Sequence, residues 1–171
     1  MKSLLLLTVA LTSILFVNAQ DDPAKRASPP ASVSETIKSG ATITINYSQP
    51  SVKGRTIGTD LEPKAGQVWR TGANEATTFE VSKAVRVQGR DLPAGKYALF
   101  TIDNGKEWTI IFNKTANQWG AYDYKQADDA LRVNAKSSKA QPFAEKMTFT
   151  IDKNGTVTLV WGDKKVDFRV D

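Results

Sequence analysis

The sequence predicts an all-β protein, an antiparallel β-sandwich of about nine or ten short strands. Apolar and polar residues alternate with a period of two through much of the chain, as at Ile43, Ile45 and Tyr47. Turn sequences that contain glycine separate these runs, and no amphipathic pattern longer than two helical turns occurs. Because one-sided strands need a second sheet to cover their apolar faces, a sandwich is expected, with a small β-barrel as the alternative.

Residues 1–19 have the pattern of a secretory signal peptide. Lys2 precedes an apolar run at residues 4–17, and Ala19 follows with Val17 two positions before it. The run is shorter than the about 20 residues of a membrane-spanning helix, and no cysteine follows it to carry a lipid. We therefore expect a bacterial protein that is exported to the periplasm or secreted, without a lipid anchor or a membrane span after cleavage.

The rest of the chain divides into a leader and one domain. Residues 20–30 contain three prolines and mixed charges, which predicts a flexible leader. Residues 31–171 are then a single β-sandwich domain, because about 150 residues is the usual size of one domain. The sequence has no cysteine, so apolar burial and sheet hydrogen bonds must stabilise the fold.

The first strands are predicted at residues 33–37 and 43–47, a hairpin around Lys38-Ser39-Gly40. Residues 48–65 hold two prolines, two glycines and few apolar residues, and are predicted to be a long connection. Short strands at residues 77–81 and 85–87 follow, and Gln88-Gly89 and Pro93-Ala94-Gly95 are turn sequences.

The centre of the chain carries the strongest hairpin signal. Residues 97–102 are apolar on both faces, as in a strand that is covered on both sides, and Asp103-Asn104-Gly105 leads to a strand at residues 108–112. Residues 113–130 are predicted to form a second long connection, in which only the end is helical.

The last part of the chain predicts further strands at residues 131–135, 147–151, 157–161 and 166–170. The last three alternate cleanly and are separated by Asp152-Lys153-Asn154-Gly155 and by Gly162-Asp163. This spacing predicts a three-stranded meander.

The composition excludes several classes of chemistry. The chain has no histidine and no cysteine, which removes thiolate nucleophiles, histidine-containing triads and the common zinc, copper and haem sites. Asp123, Asp128 and Asp129 do not have the spacing of a calcium loop, so no metal or cofactor is expected. The net charge of +5 is scattered along the chain, which argues against a nucleic-acid partner.

The candidate site is centred on the stretch Val68-Trp69-Arg70-Thr71-Gly72-Ala73-Asn74-Glu75-Ala76-Thr77-Thr78. Gly72 allows a sharp turn, and we expect that it brings the Arg70 guanidinium against the Glu75 carboxylate as a buried ion pair. In that structural role, loss of either side chain destabilises the fold. The functional alternative is that Arg70 binds a ligand and contributes little to stability.

The residue types favour a non-catalytic module that binds a carbohydrate or a peptide. Aromatic rings offer flat faces to a sugar or a proline-rich peptide, and cations and amides fix hydroxyls or a carboxylate. The alternative is that the aromatics close the open end of the sandwich. The candidate ligand-binding residues are Arg70, Asn74, Glu75, Lys53, Arg55, Trp119, Tyr122, Asp123 and Tyr124.

Two further functions stay open. Glu75 and Asp123 form a carboxylate pair for hydrolysis of an envelope polymer if their loops meet at one end of the sandwich. The second function that stays open is a structural role as a packing protein of the cell envelope. The oligomeric state is left open by the sequence.

Five runs of the sequence resemble a secreted bacterial family called domain of unknown function 2911. The resemblance covers nearly all of the chain after the signal peptide, and it implies export and a β-rich domain without assigning a reaction or a ligand. The runs are Arg26-Ala27-Ser28-Pro29-Pro30, Tyr47-Ser48-Gln49-Pro50-Ser51-Val52-Lys53-Gly54-Arg55, Val68-Trp69-Arg70-Thr71-Gly72-Ala73-Asn74-Glu75-Ala76-Thr77, Leu92-Pro93-Ala94-Gly95-Lys96-Tyr97 and Gln118-Trp119-Gly120-Ala121-Tyr122-Asp123-Tyr124.

We predict that export removes residues 1–19 and leaves Gln20 as the new N-terminus. The physical basis is the small residue at the end of the apolar run, which suits signal peptidase. Intact mass spectrometry of the exported protein measures this directly. A mass that includes residues 1–19 would contradict the prediction.

Overall fold

The computed structural model describes residues 25–171, and these residues form an almost entirely β structure, as the sequence predicts. The predicted signal peptide and residues 20–24 of the predicted leader lie outside the described residues. A 3-10 turn at Gln126–Asp128 precedes the ninth strand. The strands are β1 (Pro30–Thr36), β2 (Thr42–Ser48), β3 (Val68–Trp69), β4 (Thr78–Val81), β5 (Val85–Val87), β6 (Arg90–Leu92), β7 (Gly95–Asp103), β8 (Glu107–Asn113), β9 (Asp129–Ile151) and β10 (Thr156–Arg169).

The main sheet is antiparallel and curls upon itself. Its order is β1-β2-β4-β7-β8-β9-β10, and β3 pairs with β7 beyond the end of β4. β5 and β6 form a small second sheet, which reaches the end of β10 through a bridge between Val87 and Val170. The architecture is therefore a sandwich or half-barrel, in which the curled sheet covers its own apolar face.

The long strand β9 produces this curl. Its first part pairs with β8, from Asp129 to Lys136, and its second part pairs with β10, from Ser137 to Ile151. One continuous strand therefore belongs to both layers. The sequence predicts separate strands here, because residues 136–146 carry little apolar alternation.

The predicted turn at Gly162-Asp163 is wrong, and so is the three-stranded meander. β10 runs through Gly162 as one strand, and its register with β9 shifts on either side of this residue. Gly162 has a φ of 62°, a left-handed conformation that serves a β-bulge as readily as a turn. A bulge bends a strand without ending it, so the last strands form one long bent hairpin.

Most side chains of the core come from the inward faces of both layers. Phe79 and Phe112 meet edge to face with ring centroids 4.9 Å apart, and Tyr47 meets Phe149 in the same way at 5.1 Å. A smaller apolar cluster lies on the outer face of β7 and β8, where Tyr124 packs against Phe100. The connection that follows β8 thus covers β7 from outside, which explains why β7 is apolar on both faces.

The two long connections border one cavity. Glu62 of the first connection and Ala121 and Tyr122 of the second line a cavity of about 240 Å³. The first connection is held to the core because the indole nitrogen of Trp161 donates to the carbonyl of Glu62 at 2.8 Å. This position places the first connection beside the second at this cavity.

Part of the predicted leader lies against the domain. The carbonyl of Pro29 accepts a hydrogen bond from the backbone amide of Gln49 at 2.8 Å. The carbonyl of Ser28 accepts one from the side-chain amide of Asn74 at 3.1 Å. Residues 26–30 are therefore not free of the domain, and β1 begins at Pro30. No helix within residues 25–171 has the length and apolar character to cross a membrane.

Two glycines in hairpin turns provide a matched test of the packing. Gly105 and Gly155 have φ values of 84° and 94°, but a Cβ on Gly155 would lie 1.8 Å from the carbonyl oxygen of Val170, whereas one on Gly105 meets nothing within 4 Å. Gly105→Ala should lower the free energy of unfolding by about 1–2 kcal/mol through the left-handed backbone alone. Gly155→Ala should lower the free energy of unfolding by about 1–3 kcal/mol more than this, because its Cβ would overlap the Val170 carbonyl oxygen. Equal losses in urea denaturation would contradict this packing of the C-terminal strand.

Candidate functional site

A short ribbon joins the central stretch to the second long connection. Glu75 and Trp119 are antiparallel bridge partners, flanked by hydrogen bonds from the Ala76 amide to the Gln118 carbonyl at 3.0 Å and from the Gly120 amide to the Asn74 carbonyl at 3.1 Å. Directly opposite residues of such a ladder project to the same side, and successive residues along each strand project to opposite sides. We call residues 74–76 and 118–120 the bridge ribbon.

The loop before the ribbon is fixed by its own hydrogen bonds. The Trp69 indole donates to the Gly72 carbonyl at 3.0 Å, and the Thr77 hydroxyl donates to the Thr71 carbonyl at 2.8 Å. A Cβ on Gly72 would lie 2.9 Å from the Thr77 hydroxyl and 3.2 Å from the Ser48 carbonyl, so only glycine fits. The turn that the sequence predicts at Gly72 is therefore a point of close packing.

Glu75 does not pair with Arg70, and this expectation from the sequence is wrong. The Glu75 carboxylate accepts hydrogen bonds from Nη1 of Arg26 at 2.8 and 3.1 Å, and its side chain is 51% exposed. The hydrogen bond from Arg26 is the main cause that holds the pKa of Glu75 below its usual value. Glu75 is thus an ionised group on the surface, tied to the segment that precedes β1.

Glu75 lies at an open groove of about 520 Å³, which we call the Glu75 groove. The indole of Trp119, 54% exposed, stands on the same side of the bridge ribbon as Glu75. Strands β1, β2 and β4 present a polar row across the groove because Asn46 pairs with both Ser32 and Thr78. The lining residues are Arg26, Pro30, Ala31, Ser32, Asn46, Tyr47, Ser48, Glu75, Ala76, Thr78 and Lys96.

Most of these lining residues are absent from the set that the sequence predicts. Asn46 appears in the sequence as an ordinary polar position of an alternating strand, and Arg26 as part of a leader. Only the non-local pairing of β2 with β1 and β4 places Asn46 beside Ser32 and Thr78. The polar alternation of β2 was the available signal, but it does not distinguish a lined groove from a solvated face.

Arg70 occupies a different place and is unpaired. Its Nε is buried without a hydrogen-bond partner, and its guanidinium forms no ion pair or hydrogen bond with residues 25–171. It borders two cavities of about 260 and 240 Å³, which we call the Arg70 cavities. Its Nη1 lies 2.9 Å from the point that a Cβ on Gly120 would occupy, so Gly120 leaves room for the guanidinium.

Two candidate residues border the Arg70 cavities. Tyr122, 81% exposed, lines the smaller cavity, and its ring lies 2.8 Å from the same Cβ point of Gly120. Arg55 lines the larger cavity, but its guanidinium already donates to the carbonyls of Ser51 and Val52 at 2.7 and 3.1 Å. Of the predicted set, Arg70, Arg55 and Tyr122 are thus grouped apart from Glu75 and Trp119.

Tyr124 and Asn74 make structural contacts. The Tyr124 hydroxyl donates to Asp129 at 2.7 Å and accepts from Arg132 at 2.6 Å. Burial and this contact with Asp129 raise the pKa of Tyr124. Asn74 has a φ of 57° and donates to the Ser28 carbonyl. Tyr124 is a packing residue, but it covers the outer face of β7 rather than the open end of the sandwich, and Trp119 and Tyr122 are exposed.

Lys53 and Asp123 are exposed and border neither the Glu75 groove nor the Arg70 cavities. The backbone amide of Lys53 donates to Glu145 at 2.7 Å. Asp123 therefore does not face Glu75 across the groove. No group of three or more acidic side chains within the described residues is placed to hold a metal ion.

The family comparison covers nearly all of the described residues. A family model described as protein of unknown function (DUF2911) matches residues 28–170, in agreement with the resemblance seen in the sequence. No curated protein and no solved structure matches the chain at a significant level.

Two partly buried arginines give opposite predictions for stability. Arg132 donates to Asp129, whose side chain is 7% exposed, at 2.7 Å, whereas Arg70 pairs with nothing in residues 25–171. Arg132→Met should lower the free energy of unfolding by about 1–3 kcal/mol because it leaves a buried carboxylate with one fewer donor. Arg70→Met should change it by less than about 0.5 kcal/mol, or increase it, because an unsatisfied buried nitrogen is removed. Denaturant unfolding of both variants checks this, and a large loss for Arg70→Met would restore a structural role.

Proposed function

The chain belongs to the family described as protein of unknown function (DUF2911), and we propose that it is an exported, non-catalytic domain that binds a carbohydrate in the Glu75 groove. The observation that carries the proposal is the pairing of Glu75 with Trp119 on one side of the bridge ribbon. This pairing sets an exposed indole beside a carboxylate that lines the groove. The groove volume of about 520 Å³ is within the usual range for small-ligand sites.

The chemistry of the groove suits a sugar. A sugar ring has an apolar face of C–H groups and an edge of hydroxyls that both donate and accept hydrogen bonds. The Trp119 indole offers a flat apolar surface to the face. Asn46 and the Glu75–Arg26 pair offer an amide, a carboxylate and a guanidinium to the hydroxyls.

Binding is a better account of this groove than hydrolysis. Two-carboxylate glycoside hydrolysis needs a second acid across the bond, and Glu75 is the only acid among the described residues that line the groove. The lowered pKa of Glu75 also makes it a poor proton donor at neutral pH, because Arg26 stabilises the charged form. Asp123, the partner considered from the sequence, does not line the groove.

Export to the periplasm or the medium is part of the proposal. Its support is the N-terminal pattern of residues 1–19, together with the absence of a cysteine that could carry a lipid. A carbohydrate of the cell envelope or its surroundings is then the ligand that the domain would meet. The groove is built from one chain, so binding there does not require a particular oligomeric state.

The test is a glycan and peptide array probed with the chain from Gln20 onward. Wild-type protein should bind a set of glycans, and Trp119→Ala should weaken the strongest of these about tenfold or more, which is about 1.4 kcal/mol, without a change in melting temperature. Phe143→Ala is the matched control, since Phe143 is 56% exposed but borders a different cavity and is not paired with Glu75. It should leave the affinity unchanged.

Three outcomes would contradict the proposal. Binding to peptides alone would show that the ligand class is wrong. Equal effects of Trp119→Ala and Phe143→Ala would remove the groove as the site. Release of sugar fragments on the array, abolished by Glu75→Gln, would replace binding with hydrolysis.

A further inference from the structure

Arg70 stands apart from every other arginine in residues 25–171. Arg26, Arg86, Arg132 and Arg169 each pair with a carboxylate. Arg55 and Arg90 donate to backbone carbonyls instead. Arg70 does neither, although its Nε is sealed from solvent. A half-buried guanidinium without an internal partner is a group that an external acceptor would satisfy.

The loop around Arg70 is built independently of that side chain. The hydrogen bonds of Trp69, Thr71 and Thr77 hold the backbone, and Gly120 leaves the space in which the guanidinium lies. The side chain is therefore presented by a rigid frame and does not serve to hold it. This arrangement is typical of a binding group that is organised before the ligand arrives.

The Arg70 cavities are separate from the Glu75 groove. None of the residues that line them lines the groove. The bridge ribbon accounts for this separation, because Trp119 projects to the side of Glu75, whereas a side chain at the next residue, Gly120, would project toward Arg70. A ligand at Arg70 would therefore occupy a second site.

We propose that the Arg70 cavities form a second binding site, which takes the carboxylate of an organic acid. The guanidinium fork matches the two oxygens of a carboxylate, and the exposed ring of Tyr122 covers the carbon chain or ring that bears it. The carboxylate can belong to an acidic sugar or to the C-terminus of a peptide.

The acidic side chains that line the Arg70 cavities favour a ligand with one negative charge over a ligand with two. Asp60 lines the larger cavity and Glu62 lines both, and each accepts a hydrogen bond from a backbone amide, of Thr56 at 2.9 Å and Lys64 at 2.8 Å. These two carboxylates repel an incoming anion, and they repel a dianion such as phosphate more strongly. A monoanionic carboxylate gains the bond to Arg70 at the lower electrostatic cost.

The experiment titrates three probes, glucuronate, N-acetylalanine and inorganic phosphate, into the chain from Gln20 onward and follows backbone and indole resonances by NMR. Both carboxylates, or one of them, should shift the amides of Gly120 and Tyr122, and N-acetylalanine, which is not a sugar, should leave the Trp119 indole unshifted. Tighter binding of glucuronate would identify an acidic sugar as the source of the carboxylate, and tighter binding of N-acetylalanine would identify a peptide C-terminus. Phosphate should bind at least about tenfold more weakly.

Variants assign the effect to the guanidinium. Arg70→Met should weaken the preferred carboxylate about tenfold or more, and Arg70→Lys should retain an intermediate affinity, since it keeps the charge but loses the fork. Arg169→Met, which changes an exposed arginine elsewhere, is the matched control and should have no effect. Unchanged binding by Arg70→Met, preference for phosphate, or the absence of any shift with all three probes would overturn the proposal. None of these results bears on carbohydrate binding at Trp119, which the array tests separately.

Discussion

The structure depends on β9, a single strand that pairs along its length with two different neighbours. By passing from β8 to β10 it ties the two layers together, without a disulfide, through continuous backbone hydrogen bonding. The buried Asp103 carboxylate, 2.8 Å from Nζ of Lys164, joins β7 to β10 close to the bulge at Gly162. The first long connection is also held to β9, because the backbone amide of Val52 donates to the carbonyl of Glu145 in β9 at 2.9 Å. The loops that carry the candidate residues are thus positioned by this strand.

The bridge ribbon separates two chemically different surfaces, one on each of its sides. On one side, Glu75 lines a groove of hydroxyls, an amide and an ion pair, and the exposed indole of Trp119 stands beside Glu75. On the other side, Gly120 opens space for the unpaired guanidinium of Arg70. Both an exposed indole and an unsatisfied buried nitrogen are unfavourable in the free protein. Residues that lower stability without a packing role are the ones expected at a functional site, where ligand contacts offset their cost.

Local sequence signals predicted much of the fold, whereas the site depends on distant pairing. The Lys38-Ser39-Gly40 and Asp103-Asn104-Gly105 hairpins and the two-sided burial of β7 follow from turn residues and alternation. The sequence predicts a turn at Gly162, where the structure has a β-bulge, because a left-handed glycine suits both equally. The Arg70–Glu75 pair was expected from their nearness in sequence, but Glu75 meets Arg26, 49 positions away, in a segment with no strand pattern. Such pairing depends on the curl of the sheet, which alternation alone does not encode.

The proposed carbohydrate ligand lies at the Glu75 groove and contacts the indole of Trp119. The most direct measurement is the set of tryptophan indole N–H resonances during titration with the glycan that binds best on the array. Trp69, Trp108 and Trp161 are buried, and Trp119 is exposed, so one resonance reports on the groove. The Trp119 indole resonance should shift in proportion to occupancy while the three buried indoles stay in place. Saturable binding that leaves the Trp119 resonance unmoved would contradict this placement of the ligand.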